Sequence, residues 1–322
     1  MSDNMKSQPG KTWLVGAGPM AKDYAKVLLS MKKDFTVIGR GETSADEFSR
    51  ATGVPVVAGG ITSFLTAKPG IPSCAIVSVG VEQLYQTTLE LLAYGVKSIL
   101  VEKPASLEMS EFTALAEKSR LLDAGIFIAY NRRFYSSVQA AMKIISEDGG
   151  LRSFTFEFTE WSHRIAPLKK APGVKEKWFL ANSTHVTDLA FYIGGFPRKI
   201  ECFTDGDLPW HPSGSIFTGA GRTDKGAPFS YFADWAAPGR WGVEFLTAKR
   251  RLILRPLEEL HIQELGSVAI QKAELDDRLD REFKPGLFRQ VEAFLDKNTQ
   301  CLPDIHYQAK MMPVYFGMAN YR

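Results

Sequence analysis

Short apolar runs alternate with longer amphipathic stretches in the first part of the chain. Six runs predict β-strands, at residues 12–15, 35–38, 54–57, 75–79, 98–101 and 126–129. Residues 20–30, 83–94 and 108–124 have the apolar spacing of helices with one buried face. Strands that alternate with helices form right-handed βαβ units. Residues 11–130 therefore predict an α/β domain with a doubly wound parallel sheet that is covered on both faces.

The pattern changes after residue 131. Residues 136–147 predict a helix, and Phe154, Phe156 and Phe158 then alternate with polar residues, as in a strand with one buried face. Further elements are predicted as strands at 199–204, 215–218, 229–235, 243–247, 251–254 and 261–265, and as helices at 286–296 and 305–321. Because few helices separate these strands, residues 131–322 predict an α+β domain with a mainly antiparallel sheet. One face of such a sheet can stay open to a ligand or to another subunit.

Length and composition fit two domains with a sizeable core. The chain has 322 residues, and its 39 Lys and Arg residues against 36 Asp and Glu residues give a net charge of +3. This balance does not favour nucleic acid as the main partner. Cys74, Cys202 and Cys301 are far apart, which predicts no metal site and no disulfide framework and favours a cytoplasmic location. No apolar run approaches the roughly 20 residues of a membrane span, and we expect the polar residues 1–10 to be a mobile tail rather than a signal peptide.

Segment 16–21, Gly-Ala-Gly-Pro-Met-Ala, is the most informative motif of the chain. It lies between the first predicted strand and the first predicted helix. Gly16 permits a tight turn, Gly18 lets the backbone approach phosphate groups, and Ala21 is small enough for the helix to pack on the strand. The helix N-terminus offers N–H groups and a positive dipole end to a pyrophosphate. The predicted cofactor contacts of this turn are Gly16, Gly18, Pro19, Met20 and Ala21.

The end of the second predicted strand favours NADP(H) over NAD(H). NAD-binding folds place a carboxylate there to accept hydrogen bonds from the ribose hydroxyls, whereas this chain has Gly39 and Arg40. A guanidinium group suits a 2′-phosphate, and Thr43 and Ser44 could add hydroxyl donors. The alternative is that Arg40 is a solvated loop residue. The remaining predicted cofactor contacts, at the ends of the fourth and fifth strands, are Val79, Gly80, Glu102, Lys103 and Pro104.

Two further segments carry candidate catalytic side chains. Lys103 follows the fifth predicted strand, and the carboxyl ends of parallel strands are where such a sheet meets its ligand. Segment 182–195 predicts a helix that is capped by one of its first three residues, 182–184, and ended by its glycine pair. His185 and Asp188 lie one turn apart beside the apolar stripe of this helix.

Taken in chain order, these motifs resemble the glucose–fructose oxidoreductase/inositol dehydrogenase/MocA (Gfo/Idh/MocA) family. They are the glycine turn, Glu-Lys-Pro at 102–104, Asn-Arg-Arg-Phe at 131–134 and His-x-x-Asp at 185–188, and they span about residues 11–200. The resemblance implies a Rossmann domain followed by a domain with a large, open, mostly antiparallel sheet. It implies hydride exchange between a nicotinamide and an oxygen-bearing carbon of a sugar or cyclitol. It also implies a Lys103–Pro104 bond that is often cis, and a homodimer or homotetramer formed through the open sheet.

The chemistry assigns separate roles to the two candidate catalytic residues. An imidazole titrates near pH 6.5, so His185 is the predicted general base that removes a hydroxyl proton as hydride leaves the carbon. Its place in the first helical turn should favour the neutral form, because the positive dipole end opposes a second proton. Lys103 would bind the same oxygen and stabilise the developing alkoxide. Asp188 is expected to orient its neighbours rather than to react.

The chain departs from the family at position 181. Many members carry an aspartate four residues before the histidine, whereas this chain has Ala181. Asn182 could hydrogen-bond a substrate hydroxyl or fix the imidazole, but an amide cannot act as a base. The predicted substrate-binding or orienting residues are Asn131, Arg133, Trp178, Asn182 and Asp188.

Residues 161–177 form a basic segment before the predicted catalytic helix. Its charged residues are Arg164, Lys169, Lys170, Lys175 and Lys177, against Glu176. Two interpretations stay open: a solvated loop, or a loop whose positive potential attracts an anionic substrate such as a sugar acid or a nucleotide-linked sugar. Trp161 and Trp178 could present apolar faces to a sugar ring or pack in the core.

The leading hypothesis is an NADP-dependent oxidoreductase acting on a sugar, sugar acid, nucleotide sugar or cyclitol. One alternative is a non-enzymatic NADP-sensing or partner-binding protein of the same fold, to which Ala181 gives weight. Another is a redox-neutral enzyme that recycles a tightly held cofactor. The presence of both Lys103 and His185 argues against the sensor.

Overall fold

In the computed structural model of the chain, residues 7–321 are described. They divide into two compact units, of which the first contains residues 7–130 and 287–310 and the second contains residues 131–286 and 311–321. Residues 1–6 of the predicted tail lie outside the described residues, whereas residues 7–10 begin the first strand. Within residues 7–321, no helix has both the length and the apolar character needed to cross a membrane.

The first unit is built on a six-stranded parallel sheet with the order β3-β2-β1-β4-β5-β6. Its strands are β1 (Ser7–Val15), β2 (Phe35–Ile38), β3 (Val56–Val57), β4 (Ile71–Val77), β5 (Ser98–Val101) and β6 (Gly125–Ile128). This is the doubly wound order, whose direction reverses between β1 and β4. The predicted parallel sheet is confirmed.

Along the chain, α-helices alternate with the six strands of the first sheet, whereas those of the second unit lie before residue 197 and after residue 272. In chain order they are α1 (Pro19–Ser30), α2 (Glu42–Thr52), α3 (Gly60–Thr66), α4 (Leu84–Tyr94), α5 (Met109–Leu122), α6 (Ser136–Glu147), α7 (Ser162–Ile165), α8 (Thr184–Gly194), α9 (Arg278–Glu282), α10 (Leu287–Leu295) and α11 (Ile305–Ala319).

Strand β1 begins five residues before the predicted start at residue 12. Its first residues, Ser7 and Gln8, pair with Ile71 and Pro72 of β4, so both strands are longer than their apolar runs. A register shift between Gln8 and Thr12 interrupts the apolar alternation. Periodicity therefore could not reveal the extension.

Residues 287–310 pack with the first unit, although the sequence assigns them to the domain 131–322. The Phe294 ring of α10 contacts Phe127 of β6 with centroids 6.1 Å apart. The Ile128 N–H donates to the Pro303 carbonyl at 2.8 Å. The predicted boundary is therefore wrong for this segment, because its apolar face covers the edge of the first sheet.

The second unit is built on an eight-stranded sheet with the order β14-β13-β12-β11-β7-β10-β9-β8. Its strands are β7 (Ser153–Glu157), β8 (Pro197–Asp205), β9 (Ile216–Thr223), β10 (Pro228–Asp234), β11 (Gly242–Leu246), β12 (Arg250–Leu254), β13 (His261–Glu264) and β14 (Ile270–Lys272). Neighbouring strands are antiparallel except for β7 and β10, which confirms the mostly antiparallel sheet. The three-residue strand β14 was not predicted, since it is too short to show a period.

The two faces of the second sheet differ. On one face Phe154, Phe156 and Phe229 pack against Phe191 of α8, with ring centroids 5.1 to 6.1 Å apart. On the other face Phe203 and Phe232 are 65% and 50% exposed. Both lie in register with Thr218 of the strand between them. This second face therefore carries exposed apolar side chains, as an open sheet would.

Candidate functional site

The glycine turn joins β1, β2 and β4 at their carboxyl ends. Gly16 adopts a φ of +127°, and a Cβ atom placed there would lie 2.2 Å from the Ser78 carbonyl oxygen. The Gly16 N–H donates to Ile38 at 2.8 Å, and the Ser78 N–H donates to Val15 at 2.7 Å. Only glycine therefore fits at position 16.

The same turn leaves room and hydrogen-bonding groups for a pyrophosphate. A Cβ atom at Gly18 would meet nothing within 4 Å, and Gly18 gives α1 no side-chain cap. Ala21, in the first turn of α1, is fully buried, as its small size predicts. The Ser78 Oγ atom is buried, and no residue among 7–321 provides it with a hydrogen-bond partner. An open turn beside an unsatisfied hydroxyl fits a dinucleotide.

Gly39 and Arg40 follow β2. A Cβ atom at Gly39 would lie 2.8 Å from Val56 Cγ1 and 3.1 Å from Ala17 Cβ, so packing itself excludes a side chain there. Arg40 is exposed and forms no ion pair with residues 7–321. The Ser44 hydroxyl, predicted as a phosphate donor, donates instead to the Gly41 carbonyl at 2.9 Å. Arg40 is therefore the positively charged side chain that could bind a ligand at the end of β2.

The Glu102–Pro104 turn is held against α1 by a contact that the sequence did not predict. The buried Tyr24 hydroxyl donates to Glu102 Oε1 at 2.7 Å. Burial and the nearby Glu102 carboxylate raise the pKa of Tyr24 well above its usual value. The Glu102 N–H donates to Val77 at 2.9 Å, which places Lys103 beside the end of β4. Lys103 is half-buried, and the Lys103–Pro104 bond is cis.

Val79 and Gly80 lie in the turn that follows β4, two and three residues beyond the observed end of the strand. The Gln83 N–H donates to the Gly80 carbonyl at 2.8 Å and closes this turn. The predicted cofactor residues of the first unit therefore gather at the carboxyl ends of β1, β2, β4 and β5.

His185 lies in α8, whose start differs from the prediction. A π-helical turn, Phe179–Ser183, leads directly into the helix, and Ser183 has helical φ and ψ angles of −68° and −19°. The predicted cap by residue 182, 183 or 184 is therefore wrong. Because the preceding turn continues the helix, His185 does not lie at an open N-terminus, and the dipole no longer supports a neutral imidazole. Gly195 ends α8 as predicted, with its N–H donating to Phe191 at 2.8 Å.

Asn182 and Ser183 are engaged by Glu160, a buried carboxylate that sequence reasoning missed. The Asn182 amide donates to Glu160 Oε1 at 2.9 Å, and the Ser183 hydroxyl donates to the same oxygen at 2.7 Å. Glu160 continues the alternation of Phe156 and Phe158 and so falls on the buried face. The alternation of buried positions along this segment could therefore have predicted that Glu160 is buried. Its carboxylate anchors the π-helical turn one residue before Thr184.

Arg133 and Asp188 form a buried ion pair. Arg133 Nε donates to Asp188 Oδ2 at 2.8 Å, and Nη2 donates to Oδ1 at 2.6 Å. The Tyr192 ring lies 4.4 Å from the Arg133 guanidinium carbon. Burial raises the pKa of the Asp188 carboxyl, and the Arg133 charge acts in the opposite direction. The pair fastens α8 to segment 131–134, which fits the orienting role predicted for Asp188 but commits Arg133 to a structural contact.

The other predicted substrate residues of this unit are also engaged in packing. The Asn131 amide donates to the Pro285 carbonyl at 2.8 Å. Trp178 is buried and packs edge-on against Trp210 with centroids 6.2 Å apart. These contacts favour structural roles for Asn131 and Trp178.

His185 lies next to Trp241, an indole that also contacts an arginine. Its ring centroid lies 6.1 Å from that of Trp241, and the Arg132 guanidinium carbon lies 4.8 Å from the same indole. In segment 161–177, Lys169 and Lys170 are exposed, whereas Lys175 donates to the Ala166 carbonyl at 3.0 Å. The proximity of His185, in the second unit, to Lys103, in the first, stays a prediction.

Comparison with solved structures finds this fold in oxidoreductases of the Gfo/Idh/MocA type. UDP-N-acetylglucosamine 3-dehydrogenase GnnA from Acidithiobacillus ferrooxidans is 15% identical over 96% of each chain, with a TM-score of 0.73. WlbA dehydrogenase from Bordetella pertussis, solved with NADH and UDP-GlcNAcA, is 13% identical over 98% of this chain and 96% of that one, with a TM-score of 0.72. Levoglucosan dehydrogenase, solved with NADH and levoglucosan, is 16% identical over 96% of each chain, with a TM-score of 0.74.

The resemblance seen in the motifs is thus confirmed as a shared fold. A search with protein-family models and a search of curated proteins find no match.

Proposed function

We propose that the protein is an NADP(H)-dependent oxidoreductase. It transfers hydride between the nicotinamide and a hydroxyl- or carbonyl-bearing carbon of a sugar, sugar acid, nucleotide sugar or cyclitol. The observation that carries the proposal is the glycine turn, where only glycine fits at position 16 and Gly18 leaves the backbone open to a ligand. Beside it lies the buried Ser78 hydroxyl, which has no hydrogen-bond partner among residues 7–321. The proteins with the same fold that are named above are sugar and nucleotide-sugar dehydrogenases, which supports the substrate class.

The bound cofactor would supply or accept the hydride, and side chains of the protein would remove or return the hydroxyl proton. We assign His185 as the base that takes the hydroxyl proton during oxidation. We assign Lys103 as the cation that binds the same oxygen and stabilises its negative charge. In the reducing direction the same groups return the proton.

Supporting residues would keep these two groups in place. Tyr24 holds the Glu102–Pro104 turn, Glu160 anchors the turn before α8, and the Arg133–Asp188 pair fastens the first half of α8. Ala181 contributes no carboxylate, and the neighbouring buried carboxylate of Glu160 is bound by Asn182 and Ser183. We therefore assign the proton transfer and the stabilisation of the alkoxide to Lys103 and His185 alone.

The decisive experiment is a substrate panel followed by absorbance at 340 nm. Neutral sugars, sugar acids, cyclitols and nucleotide sugars would each be offered with both nicotinamide cofactors. Net formation or loss of reduced cofactor with at least one of them is the expected result. Product formed without net absorbance change would instead identify the redox-neutral enzyme. A ligand-dependent partner without any turnover would identify the sensor, the alternative that Ala181 favours.

Replacement of Arg40 by Ser should raise the Kd of NADPH by about tenfold to a hundredfold and leave that of NADH nearly unchanged. The lost guanidinium would have made charge-assisted hydrogen bonds of about 1.5–3 kcal/mol to the 2′-phosphate. Fluorescence titration with both reduced cofactors measures this. Arg50→Ser, an exposed arginine of α2, is the matched control. Equal or tighter NADH binding by the unmodified protein would rule out the NADP assignment.

We also propose that the open sheet joins two or four copies of the chain. Its exposed face carries Phe203 and Phe232 in register. The double substitution Phe203→Glu, Phe232→Glu should convert the assembly to monomers, because burying carboxylates in an apolar interface is costly. Light scattering after gel filtration gives the mass. Leu121→Glu, which changes a 67% exposed apolar residue of α5, is the control. A monomeric unmodified protein would contradict the proposal.

A further inference from the structure

Four side chains linked by cation–π contacts form what we call the arginine–tryptophan cluster: Trp161, Arg240, Trp241 and Arg132. One of them, Trp241, lies next to His185, with ring centroids 6.1 Å apart. The Arg240 guanidinium carbon lies 4.8 Å from the Trp161 ring centroid and 5.3 Å from that of Trp241. The Arg132 guanidinium carbon lies 4.8 Å from the Trp241 centroid. Two cations thus share one indole ring, which holds both by cation–π contact.

The two arginines of the cluster differ from the adjacent Arg133 in their partners. Among residues 7–321, no carboxylate comes within ion-pair distance of Arg132 or Arg240. The side-chain acceptor for Arg132 is Asn131 Oδ1, at the long distance of 3.4 Å. The adjacent Arg133, by contrast, is satisfied by two short bonds to Asp188. Arg132 is half-buried and Arg240 is exposed. An anion bound by both guanidinium groups would compensate the partial desolvation of Arg132.

The electrostatic surroundings of Arg132 include charges of both signs. Burial lowers the pKa of its guanidinium, and the nearby charge of Arg240 acts in the same direction. Tyr135, Glu258 and Glu160 act in the opposite direction. The two arginines are therefore close enough to repel each other.

Trp241 adds a third donor that lacks an acceptor. Its side chain is 95% buried, and its Nε1–H has no hydrogen-bond partner among residues 7–321. A buried indole N–H ordinarily finds an acceptor. Trp161 shows the ordinary case, since its Nε1–H donates to the Gly239 carbonyl at 2.8 Å. The cluster thus combines two unpaired cations with an unsatisfied buried donor, and all three complement an anion.

We propose that Arg132, Arg240 and Trp241 bind an anionic group of the substrate, a carboxylate or a phosphate, while His185 takes the proton from a hydroxyl group of the same molecule. This inference rests on the proposed oxidoreductase function and narrows its substrate to anionic sugars. It also moves anion recognition from the basic segment 161–177 to a built subsite. The exposed Lys169 and Lys170 would contribute only long-range attraction.

The test is isothermal titration of the full-length protein, loaded with NADP⁺, with D-glucose, D-glucuronate, glucose 6-phosphate and UDP-glucose. At least one anionic probe should bind more tightly than glucose, and more weakly as salt is added. Preference for glucuronate identifies a carboxylate, preference for glucose 6-phosphate a terminal phosphate, and preference for UDP-glucose a diphosphate. Equal binding of glucose and all anionic probes, or binding of none, would overturn the proposal.

Variants separate the subsite from general charge. Arg240→Gln should weaken the preferred anionic probe by about tenfold or more and leave glucose unchanged. Trp241→Phe, which keeps an aromatic ring but removes the N–H, should lower the affinity for the same probe. Arg198→Gln is the matched control, because Arg198 also lies over an aromatic ring, 5.9 Å from Phe196, in the strand at the far edge of the sheet. Unchanged anion affinity in both Arg240→Gln and Trp241→Phe, with melting temperatures showing folded proteins, would overturn the proposal.

Turnover distinguishes the failure of this inference from the failure of the proposed function. Hydride transfer to or from neutral sugars, without any preference for anionic ones, would leave the oxidoreductase standing and remove the anion subsite. Tight anion binding that depends on Arg240, without turnover of any probe, would leave the subsite standing and count against the oxidoreductase.

Discussion

Replacement of Lys103 by Met should lower kcat by about a hundredfold to a thousandfold. Methionine keeps the length and apolar stem of lysine but removes the charge that would stabilise the developing alkoxide. Loss of one such group costs other enzymes about 10²–10³ in kcat. The Kd of NADPH should change little, because its phosphates would be bound at the glycine turn and Arg40. Single-turnover absorbance measurements would report the hydride-transfer step itself.

The matched control is Lys118→Met, which removes an exposed lysine of α5 in the same unit. Full activity in that variant would show that net charge alone is not responsible. Lys103→Arg should recover only part of the rate, since a guanidinium keeps the charge but not the compact geometry of the ammonium group. A fully active Lys103→Met enzyme would remove Lys103 from the mechanism.

Replacement of His185 by Gln should lower kcat for alcohol oxidation by about 10²–10⁴-fold, the usual contribution of a positioned general base. Glutamine is close to histidine in volume and can form hydrogen bonds, but its amide does not accept the substrate proton. Oxidation requires the unprotonated base, so the rate of the unmodified enzyme should rise with pH as the imidazole loses its proton. In His185→Gln that rise should disappear from the profile of kcat/KM.

His306→Gln, an exposed histidine of α11, controls for the loss of an imidazole elsewhere. The pH profile separates chemistry from structure, because a merely structural histidine would change the rate at all pH values alike. An unchanged pH profile, together with a normal kcat, would exclude His185 as the base.

The local features of the site were predictable because each rests on a short stretch of sequence. Gly16 is fixed by its own backbone angle and by the strand ends around it, so the motif alone predicts the turn. The end of α8 at Gly195 was likewise predictable, because a glycine readily adopts the backbone angles that end a helix. The parallel and antiparallel sheets follow from the order and spacing of apolar runs.

The features that were missed are contacts between residues far apart in the chain. The bond from Tyr24 to Glu102 joins residues separated by 78 positions, and the pairing of Arg133 with Asp188 spans 55. No periodicity carries such information. The π-helical turn before α8 was missed for a related reason, since the buried carboxylate of Glu160 binds residues that would otherwise favour capping.

At Gly39 the structure gives a reason for the glycine that differs from the one predicted. The sequence suggests that this glycine leaves room for a phosphate beside Arg40. The structure shows that Val56 and Ala17 already exclude a side chain from the position. Packing therefore accounts for the glycine, and the NADP proposal rests on Arg40.

The central claim is that Lys103 and His185 act on one substrate oxygen. A crystal structure of the protein with NADP⁺ and the sugar that it oxidises would give the two distances directly. We expect Lys103 Nζ and a ring nitrogen of His185 each to lie within about 3.2 Å of the oxygen on the reacting carbon. A substrate bound beside the nicotinamide, with its oxygen held by other groups and either side chain facing a different cavity, would contradict the claim.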